Sequence, residues 1–302
     1  MVEQINRQAL ESLEKNDCKN AQFLFKQNIK QNPCHQTFNN LGYFLITEGM
    51  ELNNGKHKSA VMLGHRYLLK AAKMKETVIN IKAITESFYY QSRTATKKNK
   101  KQLFRDACDW LKIANKIEYR HDVQYNFLRF SYLLNDDNNI LFEIRDLIKK
   151  FENEETVSLY FCILLKQSMK NEGNNCIERY GRFISDMDKL MFYTKTEQYK
   201  KAYAICHNVY MAFSIDKFLA SALIESCINT GHLTEAKMYA KKIYDMCQDV
   251  EYAIDVIPSK VFCFTNSSSI YRKKLISSFE CYPIYLSTCG YFGCSLHENT
   301  WS

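Results

Sequence analysis

The chain has 302 residues, with 41 basic and 33 acidic side chains giving a formal charge of +8. Only 9 glycines and 3 prolines punctuate it, against ordinary usages of roughly 7% and 5%, which excludes the many tight turns of a sandwich or barrel. No run approaches the ~18 apolar residues of a membrane span, and distributed charge of this size mostly serves solubility, with a mild bias toward anionic partners.

The first predicted hairpin is the clearest. Residues 3–15 place Ile5, Ala9, Leu10 and Leu13 on one helix face, and Asn16-Asp17 turns the chain. Asn20 to Lys30 returns with Ala21, Leu24, Phe25 and Ile29 inward. Asn32-Pro33 stops that helix, because proline has no amide hydrogen and disfavours helix in the residue before it. A second opening helix carries Phe38, Leu41-Gly42 and Leu45, followed by an expected polar loop from Glu48 to Lys58. The return helix resumes with Gly64, Leu68 and Ala71, and a third return helix shows Ala107, Leu111 and Ala114. Lys97, Lys98, Lys100 and Lys101, flanked by Arg93 and Arg105, are expected in a solvated inter-helix loop, since no aromatic interleaving or recognisable module makes them a nucleic-acid surface.

Ala21, Gly64 and Ala107 stand 43 residues apart each time, and Ala236 falls on the same grid while Lys150 and Tyr193 do not fit it. The interval is either a coincidence of insertions or a degenerate repeat of helix pairs. Helical apolar spacing continues over 123–134, 140–151, 156–169, 176–187 and 197–213. The last hairpin has Ala220, Leu223, Ile224, Cys227 and Ile228 in one stripe, a turn at Gly231-His232, and Leu233, Ala236, Ala240 and Ile243 on its return. A short capping helix is expected over 270–279, and 281–302 shows no helical period.

The residues Ala9, Ala21, Phe25 and Pro33, together with Leu41-Gly42, resemble the tetratricopeptide repeat family, whose 34-residue helix hairpins carry small, small, aromatic and proline signature positions. Ile5 stands where that family has an aromatic residue. The resemblance implies an all-α, right-handed solenoid of about six or seven helix pairs over 1–260, with a capping helix and an irregular Cys-rich tail over 261–302. It also implies a noncatalytic scaffold that holds a protein or peptide in the groove lined by the first helix of each pair. Asn39, Asn40, Tyr43 and Ile46 fall at groove-facing places of the family motif, as do Phe218, Ser221, Glu225 and Asn229. Asn40 matches the position from which chaperone-binding members hold a peptide carboxylate. Their partner residues fall here on Asn6 and Leu10, so that clamp is incomplete.

Twelve cysteines fall mostly singly on apolar helix faces, as at Cys108, Cys162 and Cys227, the pattern of a small hydrophobe in a reducing compartment. A cytoplasmic protein is therefore expected, and Glu3, Arg7 and Glu11 come too early for a signal peptide. Cys34-His35 and Cys206-His207 are adjacent in sequence, and helical neighbours point about 100° apart, so neither suits a nucleophile and its base. With no phosphate-cradling loop or nucleophile elbow, no enzyme is expected. The tail offers Cys281, Cys289, Cys294 and His297, with Cys263 upstream. Three thiols and an imidazole suit tetrahedral zinc, although the spacings are not those of a common finger. The alternatives are a partly ordered Cys-rich terminus and a segment modified or captured by another protein, a layout that resembles the leader and core of enzymatically modified peptides.

Overall fold

The computed structural model describes residues 2–53, 57–135, 137–212, 217–247, 273–279, 281–297 and 299–301. Among these residues there is no strand, and the fold is an all-α solenoid of stacked helix hairpins. Contacts divide the chain into two compact units, Met1–Phe151 with Ile284–Ser302, and Glu152–Pro283. The division expected at residue 260 lies outside the described residues, as do Cys263 and the start of the expected capping helix, of which 273–277 are helical.

The first unit holds four hairpins. They pair α1 (Val2–Glu14) with α2 (Cys18–Gln31), α3 (His35–Ile46) with α4 (His57–Met74), α5 (Val78–Ser92) with α6 (Lys97–Ile117), and α7 (His121–Leu134) with α8 (Asp137–Lys150). His35, Val78 and His121 open their hairpins 43 residues apart, so within this unit the interval belongs to a degenerate repeat of helix pairs. Ala21, Gly64 and Ala107 are all buried where the two helices of a pair meet their neighbours. At Gly64 the helices of the pair approach closely, since a Cβ there would stand 2.7 Å from the Gly42 carbonyl oxygen and 2.7 Å from Ile46. Phe25, Phe44, Leu68, Ile81, Ile84 and Leu111 fill the shared core, each such burial contributing about 1.5–3 kcal/mol.

The second unit pairs α9 (Glu154–Lys166) with α10 (Lys170–Tyr180), α11 (Asp186–Lys195) with α12 (Tyr199–Ala212), and α13 (Lys217–Asn229) with α14 (Leu233–Cys247). Its last hairpin closes over Ala220, Ile224, Cys227, Ala236, Ala240 and Ile243, the stripes expected from the sequence except for Leu233, which is exposed at the start of α14.

Three expectations are corrected. The lysines at 97, 98, 100 and 101 are exposed as expected, but they form the first turns of α6 and not a loop. The stretch 48–58 contains a 3-10 turn over Glu48–Asn53. The helix expected over 176–187 is broken, because α10 ends at Tyr180, a 3-10 turn follows, and Ser185 caps a separate helix, α11, by accepting from the Asp188 N–H at 3.1 Å.

Hairpin closure has a common device. Asn16, Asn135, Ser168, Glu197 and Gly231 each take a left-handed backbone conformation between the two helices of a pair. The α5–α6 connection does not use it, nor do the described residues 47–53 of the α3–α4 connection.

Candidate functional site

The second helices of the first unit bury one stripe, whereas α3 is buried along its whole length from Gln36 to Ile46. One side of α3 packs on α4. Its other side carries Asn39, Asn40 and Tyr43 and is covered by the chain's own C-terminal segment. Similar polar residues project from the other first helices, with Asn6 on α1, Lys82 and Glu86 on α5, and Asp122, Tyr125 and Asn126 on α7.

These side chains hold an extended backbone. The Tyr125 hydroxyl donates to the Ile284 carbonyl at 2.9 Å, and Asn126 Nδ2 to the Leu286 carbonyl at 2.8 Å. The Tyr43 hydroxyl shares its proton between the Thr288 carbonyl at 3.2 Å and the Glu86 carboxylate at 3.3 Å. Asn39 Nδ2 donates to the Gly290 carbonyl at 2.6 Å, and both Asn6 and Asn40 donate to the Phe292 carbonyl at 2.9 Å. Every second carbonyl from 284 to 292 is thus met, which is the period of an extended chain. Asn40 and Asn126 also accept from the N–H groups of Phe292 and Leu286 at 2.8 and 3.0 Å.

Asn40 and Asn126 lie 86 residues apart, two of the 43-residue intervals, and Phe292 and Leu286 lie six apart. Six extended residues span about 20 Å, and two steps between helices packed about 8–10 Å apart cover nearly the same length. The intermediate position of the repeat is Ala83, which has no amide to offer. There the tail is held through side chains instead, with Ser287 Oγ donating to Glu86 at 2.5 Å and Thr288 Oγ1 to Asp122 at 3.1 Å.

The odd-numbered tail residues supply anchors. Tyr285 stacks on Tyr89 with ring centroids 4.7 Å apart, beside the Arg129 guanidinium at 5.7 Å. Tyr291, six residues on, stacks on Phe25 at 5.8 Å, meets Tyr43 edge-on at 4.8 Å, and donates its hydroxyl to Glu48 at 2.5 Å. Gly290 lies flat against Tyr43, where a Cβ would stand 2.7 Å from the ring.

Charge within the site is settled by burial and ion pairing. Burial pushes the Glu86 carboxyl up to about 7, opposed by the hydrogen bonds from Ser287 and Tyr43 and by Lys82. Burial would raise Asp122 too, but the Lys82 ammonium at 2.7 Å and Arg120 at 3.1 Å outweigh it and hold that carboxyl at about 2.

The expected residues therefore separate into groups. Asn39, Asn40 and Tyr43 come together on the tail, while Ile46 is buried in the core. Phe218, Glu225 and Asn229 lie in the second unit, where Phe218 meets Phe279 edge-on at 5.9 Å and Asn229 donates to Glu225 of its own helix, to the carbonyl at 2.8 Å and to Oε1 at 3.1 Å. Ser221 likewise bonds its own helix, at the Lys217 carbonyl. Cys289, Cys294 and His297 cluster, but Cys281 belongs to the other unit, where its contact pushes the buried Cys162 thiol up. Asn126, Tyr125 and Glu86 were not singled out in the sequence; the 43-residue interval from Asn40, Asn39 and Tyr43 leads to Asn126, Tyr125 and Glu86.

Comparison with solved structures bears on the fold. A tetratricopeptide repeat protein from Parabacteroides merdae superimposes with a TM-score of 0.54 at 12% identity, covering 85% of this chain and 97% of that one. A thermophilic TPR protein from Thermus thermophilus gives 0.43 at 15% identity over 70% of this chain and 98% of that one. The structure of Naa15/Naa10 bound to HypK-THB gives 0.43 at 12% identity over 90% of this chain and 40% of that one. The chain has a tetratricopeptide-repeat-like fold with degenerate repeats. No family model matches it, and no curated protein does.

Proposed function

We propose that the first-helix face of the first unit is a noncatalytic groove for extended protein or peptide segments, and that residues 284–292 are its occupant in cis. The observation that carries this reading is the alternation of carbonyls at Ile284, Leu286, Thr288, Gly290 and Phe292, each met by a donor from α1, α3 or α7. Contacts to backbone are independent of sequence, so affinity would come from the amides. Selectivity would come from two aromatic anchors spaced as Tyr285 and Tyr291 are. Asn6 and Asn40 hold the carbonyl of Phe292 within a continuing chain, which favours an internal segment over the carboxylate that the family's clamp takes. The amides and aromatic rings that the helices bring to this face are suited to binding.

A partner segment must compete with the tail, so the free protein would be a self-occupied scaffold that opens to a ligand offering equivalent anchors. No described helix is long and apolar enough to cross a membrane. Cys34, Cys162, Cys176, Cys206, Cys227, Cys289 and Cys294 are outside any disulfide, which suits the cytoplasm as the place of action. A labelled peptide covering residues 283–295 tests the groove. It should bind the Gly290→Val chain, whose own tail is pushed off Tyr43, much more tightly than the wild-type chain. Absence of binding to both chains would remove this function.

A further inference from the structure

We propose that Cys289, Cys294 and His297 form a zinc site that latches the tail in place. Their three ligand atoms all lie within 4.8 Å of one another, with Cys294 Sγ 3.1 Å from His297 Nδ1. Tetrahedral zinc with thiolate and imidazole ligands sets them about 3.3–3.8 Å apart, so small side-chain adjustments complete the geometry. The backbone already brings the ligands round. Gly293, at φ +73°, bends the chain, and the 3-10 turn over Ser295–His297 returns the imidazole to Cys294. Asn299 Nδ2 ties the two ligand-bearing stretches by donating to the Cys289 carbonyl at 3.3 Å and the Tyr291 carbonyl at 3.0 Å.

Two soft thiolates and an imidazole select zinc over the hard cations that take oxygen ligands. The three residues border a cavity of about 300 Å³, so the fourth position is open to a water. Cys281, in the other unit, is not part of the set. Binding converts two thiols to thiolates and delivers two protons to solvent, with no change of oxidation state.

The latch follows from where the ligands sit. Cys289 lies between Thr288 and Gly290, both bonded to the groove, and Cys294 lies two residues beyond Phe292. An ion joining 289 to 294 and 297 closes the end of the tail into a loop over α1 and α3. This consequence rests on the groove reading; the ion site does not.

The reduced full-length chain, titrated with Zn²⁺ against a chromophoric chelator under nitrogen, should bind one equivalent. Co²⁺ in its place should give sulfur-to-metal charge-transfer bands. Cys289→Ser, Cys294→Ser and His297→Ala should each weaken binding by more than about tenfold, whereas Cys281→Ser should not. Substoichiometric zinc, absent thiolate bands, binding of Cu(I) alone, or an equal loss in Cys281→Ser would overturn the site. Zinc should also slow amide exchange over 284–297 and reduce capture of the 283–295 peptide by the wild-type chain. One bound equivalent with exchange and capture unchanged would overturn the latch. The metal-free Gly290→Val chain, assayed alongside with the peptide, shows independently whether the groove reading holds.

Discussion

Asn40 exchanges two hydrogen bonds with Phe292, accepting from its N–H at 2.8 Å and donating to its carbonyl at 2.9 Å. A side-chain amide here replaces the neighbouring strand that would make the same pair of bonds in a sheet, and Asn126 repeats the arrangement at Leu286. Asn40→Ala or Asn126→Ala should leave a tail N–H without its acceptor and weaken docking by about 1–3 kcal/mol. Hydrogen exchange over 284–292 should then accelerate. Asn229→Ala, which removes an amide bonded only within α13, should leave that exchange unchanged.

Tyr285 and Tyr291 should account for much of the docking free energy. Truncation of either to alanine removes a ring stacked between groove side chains, at a cost of about 2–3 kcal/mol. Limited proteolysis after such a change should cut the tail well before the helices. Cleavage at the wild-type rate would show that the aromatic anchors contribute little.

Docking should depend on pH through Glu86. Its carboxyl, raised by burial to about 7 from an ordinary 4.5, takes up a proton as the tail covers it. A group whose folded value is raised contributes most when protonated, so docking should strengthen as pH falls from about 7 to about 4.5 and weaken as pH rises through 7. Ser287, Tyr43, Lys82 and Glu48 face this carboxyl, and Asp122, held at about 2, does not titrate in that window. Glu86→Gln should flatten the dependence measured by peptide competition. A dependence that survives this substitution would place the titrating group elsewhere.

Ala21 and Ala236 test the two units separately. Each is almost completely enclosed, at 0% and 2% exposure, so Ala21→Leu and Ala236→Leu should each destabilise by about 1–3 kcal/mol through overpacking. An unfolding midpoint unmoved by either substitution would mean that the hairpin contact at that position is loose.

The hairpins themselves were legible from local signals. Periodic apolar residues, the Asn16-Asp17 turn, Pro33 and Gly231 announce helices and their ends through propensity and backbone sterics, which act within a few residues. Helix α11 escaped because the turn behind it is closed by Glu197, and the turn behind α9 by Ser168. Both are left-handed positions held by residues other than the glycine, asparagine or aspartate that usually mark one. Asn39, Asn40 and Tyr43 could be placed on the groove face because the resemblance to the repeat family supplies the groove positions of an opening helix. What covers that face was not legible. More than 240 residues separate Asn40 from Phe292, and no periodicity in an extended, Gly- and Cys-rich tail indicates where it docks. Only the tertiary structure brings alternate carbonyls of that tail to donors from three helices, and gathers Cys289, Cys294 and His297 into one cluster. The physical reason is that side-chain phase on a helix is a local property, whereas the pairing of an extended backbone with a distant face depends on the spacing of whole hairpins.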